Sequence, residues 1–126
     1  LAFVEAARIT DDGLAHLAKA VWLQWLAIRR TPISGNGLRH LQSLPRLATL
    51  DVSGTNLGDE QVALLAQFAV LTEISLHDTR ITDAGLTSLA KCKALRTIDL
   101  TGSRVTASGV ERLRRALPGC NIICDP

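Results

Sequence analysis

The chain of 126 residues is long enough for one domain with a buried core. Its formal net charge of +2 is too small to indicate nucleic-acid binding by itself. The sequence contains no run of about 18 apolar residues, the length needed to span a membrane as a helix. Aromatic residues make up only 3% and methionine is absent, so the core must be built mainly from Leu, Ile, Val and Ala. We therefore expect neither nucleic acid nor a membrane as a partner.

A period of 24 residues runs along the chain. The segment ARITDDGL (7–14) returns as TRITDAGL (79–86), three periods later. In blocks of 24 counted from the first residue, position 17 is always leucine: Leu17, Leu41, Leu65, Leu89 and Leu113. A period of this length indicates a solenoid of stacked units. The predicted units are residues 1–24, 25–48, 49–72, 73–96 and 97–120, followed by a closing strand at 121–126.

Each unit begins with a predicted strand and continues into a predicted helix. Positions 2 and 4 are apolar between mostly polar neighbours, as in TLDVSG (49–54) and TIDLTG (97–102), and this alternation is typical of a strand. Position 10 carries a small or hydroxyl residue suited to a helix N-cap, and acidic residues at positions 11 and 12 favour the positive end of the helix dipole. Apolar residues at positions 14 and 17 have helical spacing.

Position 13 is glycine in four of the five units, although glycine inside a helix costs about 1 kcal/mol relative to alanine. A close approach to a neighbouring helix, or a tight first turn, would explain this choice. Gln61 occupies the position in the third unit, which predicts a third helix lying slightly further out.

The phrase L-x-x-L-x-L occurs as LATLDV (47–52), LTEISL (71–76) and LRTIDL (95–100), and it resembles the leucine-rich repeat family. The family often has Asn or Cys at position 7, where this chain mostly has Thr or Ser, as in a bacterial-type variant. The resemblance implies an α/β fold: a right-handed solenoid with a parallel sheet on its concave face and helices on its convex face. It covers residues 1–126 as a single domain, which we expect to be a fragment of a longer chain.

No catalytic residue, metal ligand or cofactor site is predicted. No nucleophile, base and orienting group are recognisable from their spacing. His16 and His40 share position 16 but have no carboxylate or thiol partner there, and the cysteines are expected mainly in the core. Three cysteines are too few for a disulfide framework, which favours a reducing compartment such as the cytoplasm. Trp22, beside Leu23 in the return loop, is also expected to pack into the core.

The outward-facing strand positions 1, 3 and 5 vary from unit to unit, and a curved solenoid would line its concave face with them. Aromatic residues there would anchor a partner and charged residues would select it. The candidate partner-binding residues are Phe3, Trp25, Arg29, Asp51, Glu73, His77 and Asp99. These residues predict a non-enzymatic module that binds another protein. The alternatives are a substrate-recognition segment of a larger enzyme, such as a ubiquitin ligase or a kinase, and a structural spacer. The oligomeric state is left open.

Overall fold

A computed structural model describes the backbone of residues 3–5 and, with side chains, residues 9–68 and 70–125. Strands and helices alternate along the chain. The strands are β1 (Phe3–Glu5), β2 (Trp25–Ala27), β3 (Thr49–Asp51), β4 (Glu73–Ser75), β5 (Thr97–Asp99) and β6 (Asn121–Ile123). The helices between them are α1 (Asp11–Leu17), α2 (Gly35–Leu41), α3 (Asp59–Leu65), α4 (Asp83–Leu89) and α5 (Ala107–Ala116). The predicted α/β solenoid is therefore confirmed.

The six strands form one parallel sheet in chain order. From β2 onward, each residue lies opposite the residue 24 positions later, as in Trp25 with Thr49. The first pair differs, because the Cα partner of Trp25 in β1 is Phe3, 22 positions earlier. Blocks of 24 put Trp25 at the same position as Leu1, whereas the sheet puts it opposite Phe3. The predicted alignment of the first strand is therefore wrong by two positions. The reason is a shorter connection: residues 6–10 separate β1 from α1, whereas residues 28–34 separate β2 from α2.

The core lies between the sheet and the helices and is aliphatic. From the second unit onward, position 2 buries one strand side chain against it, as in Leu26, Leu50 and Ile74, and position 14 supplies helix residues such as Leu38 and Leu86. Helices of seven residues have little stability of their own. Their shape therefore depends on this shared apolar layer, which joins neighbouring units into one cluster.

The helix N-termini form a second, polar link between units. Thr10, Ser34, Thr82 and Thr106 act as N-caps, as predicted. Three of these N-caps also donate to an aspartate of the preceding unit, since the carboxylate accepts from both the amide and the hydroxyl. The pairs are Ser34 with Asp11, Thr82 with Asp59, and Thr106 with Asp83. We call this series the aspartate ladder.

The aspartate ladder explains three of the four glycines at position 13, namely Gly37, Gly85 and Gly109, whereas an added Cβ on Gly13 would meet the side chain of Ile9. A Cβ atom placed on Gly37 would lie 2.2 Å from Asp11 Oδ1, and one on Gly85 would lie 2.6 Å from Asp59 Oδ1. The predicted close approach is therefore correct, but the close group is a carboxylate. The second unit has Gly35 where the ladder needs aspartate, and Gln61 of the third unit compensates: its Oε1 accepts from the Gly58 amide at 2.9 Å.

Two side chains do not lie where the sequence predicted them. Trp22 is 53% exposed, so its assignment to the core is wrong; the neighbouring Leu23 fills the core at that point. Ala27, at an outward strand position, is fully buried rather than exposed. Its methyl group is short enough to be covered by the side chains around it.

Candidate protein-binding face

The sheet face opposite the helices carries an open groove of about 530 Å³. The groove crosses units two to five, on the side where each strand ends and the chain turns toward its helix. Four of the predicted binding residues line it: Arg29, Asp51, His77 and Asp99. These four residues belong to different units, and the 24-residue register of the sheet brings them together.

Asp51 is the best-connected side chain in the groove. Arg29 Nε lies 2.6 Å from Asp51 Oδ2, while Asp51 Oδ1 accepts from the Ser53 amide at 3.0 Å and from its hydroxyl at 2.5 Å. The side chain of Asp51 is 13% exposed, against 52% for Arg29. Burial acts to raise the pKa of Asp51, but the hydrogen bonds from Ser53 and Arg29 and the positive charge of Arg29 together hold it below its ordinary value.

A histidine and an aspartate of the fourth unit also line the groove. His77 Nε2 is 3.1 Å from Asp78 Oδ2, and both side chains are substantially exposed. Asp99, in the next unit, accepts from the Thr101 amide at 3.0 Å through Oδ1. The groove therefore has arginines at its β2 end and carboxylates toward β5.

The remaining predicted residues lie apart from the groove. Trp25 is half-buried and Glu73 is exposed on the same face, at position 1 of their units, but neither lines the groove. The side chain of Phe3 lies outside the described residues. The groove therefore unites four of the seven predicted residues.

Position 6 also lines the groove, through Arg30 and Asp78, which were not among the predicted binding residues. Both adopt left-handed backbone conformations, with φ of 57° and 54°, which are uncommon for residues other than glycine. Gly54 and Gly102 hold this position in the intervening units, with φ of 69° and 74°. The alternation of a charged residue with glycine was the available signal.

The alternation at position 6 has a steric cause. A Cβ atom on Gly54 would lie 2.8 Å from Arg30 Cγ, and one on Gly102 would lie 2.0 Å from Asp78 Oδ1. The side chains of Arg30 and Asp78 thus lean over the glycine of the next unit. Because each glycine has no side chain, it leaves space for the side chain of the residue at position 6 in the preceding unit.

Charged and hydroxyl side chains line the groove. Among the described residues, no hydroxyl or thiol is hydrogen bonded to His77, so no activated nucleophile is assembled there. The described residues also contain no group of His, Cys, Asp and Glu arranged to hold a metal ion. Cys92, Cys120 and Cys124 are free thiols, and burial raises the pKa of Cys92 and Cys120. Within the described part of the chain, no helix has the length and apolar character needed to cross a membrane.

Comparison with known proteins agrees with this architecture. Residues 69–90 match the family model of the leucine-rich repeat. The chain has the fold of a leucine-rich-repeat solenoid. Leucine-rich-repeat proteins commonly bind other proteins, and their solenoids offer a concave surface for this purpose. Comparison with curated proteins gives no match.

Three bacterial structures share the fold at low sequence identity. Internalin C2 of Listeria monocytogenes matches over 99% of this chain with 22% identity and a TM-score of 0.71. Listeria internalin F and the Leptospira interrogans leucine-rich-repeat protein LIC12759 each match over 86% with 18% identity, at TM-scores of 0.62 and 0.56. The chain spans 54% of the internalin C2 structure, 30% of internalin F and 33% of the Leptospira protein.

Proposed function

We propose that this leucine-rich-repeat solenoid is a non-enzymatic module whose protein partner docks on the concave sheet face. The observation that supports this most strongly is the groove, because it gathers side chains that the 24-residue period does not dictate. Core positions repeat because every unit needs them, whereas Arg29, His77 and Asp99 differ from the residues at the same positions of the neighbouring units. The partner-binding residues we propose are Trp25, Arg29, Asp51, Glu73, His77 and Asp99, together with Phe3.

The Arg29–Asp51 pair supports the proposal energetically. Asp51 is mostly buried and accepts several hydrogen bonds, so it holds the exposed Arg29 guanidinium in one position. A preorganised guanidinium loses less side-chain entropy when a partner binds, and arginine is common among the residues that dominate interface energies. Trp25 adds a half-buried aromatic side chain on the same face.

The chain offers matched controls for testing this face. Affinity capture with the wild-type protein from native lysate, followed by mass spectrometry, would provide a partner. The affinity of that partner is then compared for Trp25→Ala and Arg29→Ala against Trp22→Ala and Arg39→Ala. Trp22 is exposed in the return loop and Arg39 is exposed on α2, so both controls lie away from the sheet face. We expect the first pair to weaken binding at least about tenfold. Unchanged affinity in both Trp25→Ala and Arg29→Ala would refute the assignment.

The alternative role, as the substrate-recognition segment of a larger enzyme, uses the same face and differs only in what is attached to it. Reading the full coding region separates the two roles. We also propose a reducing compartment, the cytoplasm, because all three cysteines are free thiols. Fractionation of the source cells with a tagged copy tests this placement.

A further inference from the structure

The charges of the chain are distributed unevenly between two edges of the solenoid. One edge, which we call the return edge, consists of the segments that lead from each helix to the next strand. Its described residues are 18–24, 42–48, 66–68, 70–72, 90–96 and 117–120. The return edge has no acidic residue and holds all three lysines of the chain; its basic residues are Lys19, Arg46, Lys91, Lys93 and Arg96. The rest of the chain has nine basic and twelve acidic residues, so the net charge of +2 does not describe this edge.

Backbone hydrogen bonds stack the segments of the return edge in register. The Ala48 amide donates to the Gln24 carbonyl at 2.9 Å, and the Thr72 amide donates to the Ala48 carbonyl at 2.8 Å. The Arg96 amide in turn donates to the Thr72 carbonyl at 2.6 Å. The segments of four consecutive units therefore form one continuous edge, and their basic residues belong to one surface.

The five basic side chains of the return edge are available to an anionic partner. All five are exposed, and none forms an ion pair with another described residue. Lys93 Nζ donates to the Ala116 carbonyl at 3.1 Å, which leaves two further donors on the ammonium group. The dipoles of α1 and α4 favour Lys19 and Lys91 just beyond their C-termini. They do not account for Arg46, five residues beyond α2, or for the absence of every acidic residue.

The return edge also exposes apolar side chains. Val21 is 60% exposed, Trp22 53% and Val70 39%, and these are three of the four large apolar side chains exposed in the described part of the chain. All three lie in turns. The leucine that follows each turn, Leu23 or Leu71, is buried in the core and holds the turn in place. The edge thus combines exposed cations with apolar side chains on fixed turns.

This combination fits an anionic membrane surface better than other anionic partners. A nucleic acid offers phosphates but no hydrocarbon for the valines, and lysine is depleted in protein interfaces. An anionic bilayer attracts each lysine and arginine near its surface, and tryptophan side chains favour its headgroup region. Peripheral binding of this kind needs no spanning helix. The expectation of no membrane partner rests on the net charge and on the lack of a spanning segment, and neither describes how charge is distributed over the folded surface.

We propose that the return edge binds the anionic surface of a lipid bilayer. Its lysines and arginines contact the lipid phosphates, and Val21 and Trp22 enter the interfacial region. The groove lies at the opposite edge, where the strands end, and stays accessible to a protein partner in this orientation. The proposal uses none of the concave-face residues and is independent of the proposed function.

The first test is sedimentation of the purified protein with vesicles of phosphatidylcholine alone, or of phosphatidylcholine and phosphatidylglycerol in equal amounts. We expect binding to the mixed vesicles only, weakened by added salt. Combining Lys91→Gln with Lys93→Gln should lower the partition coefficient at least about tenfold. The matched control combines Arg80→Gln with Arg104→Gln, which removes the same charge from exposed residues at the opposite edge. The control should change the partition coefficient less than about twofold, because those charges lie beyond the screening length.

Tryptophan fluorescence tests the orientation, because the chain has only two tryptophans. In the Trp25→Phe protein, Trp22 is the only fluorophore of this kind, and mixed vesicles should shift its emission to shorter wavelengths. In the Trp22→Phe protein, emission comes from Trp25 on the sheet face and should not shift. Partner affinity on the concave face is measured without lipid, so Trp22→Ala remains a valid control there.

Several results would overturn the lipid proposal. They are no binding to the mixed vesicles, equal losses in the two double variants, and an emission shift from Trp25 instead of Trp22. Duplex DNA and polyglutamate serve as parallel probes. Binding of either one without binding to vesicles would also overturn the proposal, and it would assign the edge to a nucleic acid or to an acidic protein. None of these results bears on concave-face docking, which Trp25→Ala and Arg29→Ala test separately.

Discussion

Asp59 of α3 holds the N-cap of α4 in the next unit. Asp59 Oδ1 accepts from the Thr82 amide at 2.8 Å, and Oδ2 accepts from the Thr82 hydroxyl. The same hydroxyl accepts from the Ala84 amide at 3.3 Å inside α4. One carboxylate thus orients a capping side chain across the boundary between two units, which links the start of α4 to the preceding helix.

Removing this link should destabilise the solenoid. Asp59→Asn keeps the shape but cannot accept through both atoms, so we expect the free energy of unfolding to fall by about 1–2 kcal/mol. Urea denaturation provides the measurement. Glu60→Gln changes the adjacent, exposed carboxylate in the same first turn and should cost less than about 0.5 kcal/mol. Equal losses for the two variants would show that only the helix dipole is involved.

A methyl group at Gly85 should conflict with the aspartate ladder. Its Cβ would lie 2.6 Å from Asp59 Oδ1 and 2.9 Å from Ile81 Cγ2. Although alanine favours helices, overpacking of this kind typically costs about 1–3 kcal/mol, so Gly85→Ala should lower the melting temperature. Gly119→Ala is the control, because nothing lies within 4 Å of its added Cβ and its melting temperature should hardly change. A harmless Gly85→Ala would contradict the steric explanation for position 13.

The buried threonines at position 7 differ in whether their hydroxyl group is hydrogen bonded. Thr79 Oγ1 donates to the Leu76 carbonyl at 2.7 Å, whereas Thr31 Oγ1 is buried and has no hydrogen-bond partner among the described residues. Thr79→Val should cost about 1 kcal/mol. Thr31→Val should be neutral or stabilising, because it removes an unsatisfied buried hydroxyl. Chemical denaturation of both variants measures the difference, and a Thr31→Val protein as unstable as Thr79→Val would contradict it.

Acid should destabilise the fold partly through Asp51 and Asp83. Hydrogen bonds from Thr106 lower the pKa of Asp83, and the pKa of Asp51 is also below its ordinary value. A depressed native pKa contributes stability above the unfolded pKa of about 3.9, and that stability is lost as the pH falls through the native pKa. We expect the urea midpoint to drop below about pH 4, with a shallower drop in Asp51→Asn. Parallel pH profiles for the two proteins would exclude a contribution from Asp51.

The fold could be predicted from the sequence because every unit buries side chains from the same positions between the sheet and the helices. Residues such as Leu26, Leu50 and Ile74 must be apolar in each unit, so the period exposes strand, core and helix together. The predicted alignment of the first strand is wrong by two positions because residues 1–4 (LAFV) are all apolar, so the alternation that fixes the register in the later units is missing there.

The site could be predicted only in part because its residues obey no period. Alternation indicated which positions leave the core, and the register then brought Arg29, Asp51, His77 and Asp99 together. Alternation could not show that Arg30 and Asp78 are held at positive φ, because it reports which side chains leave the core and not the backbone conformation. Trp22 was misassigned because hydrophobicity alone does not distinguish it from its buried neighbour.

The most direct test of the concave-face claim is a map of the partner's footprint. NMR cross-saturation from the bound partner to the labelled solenoid would identify the contacted amides. The proposal predicts saturation along β2 to β5 and at the groove residues, including Arg29, His77 and Asp99. Saturation confined to α1–α5, or to the return loops near Trp22, would contradict it.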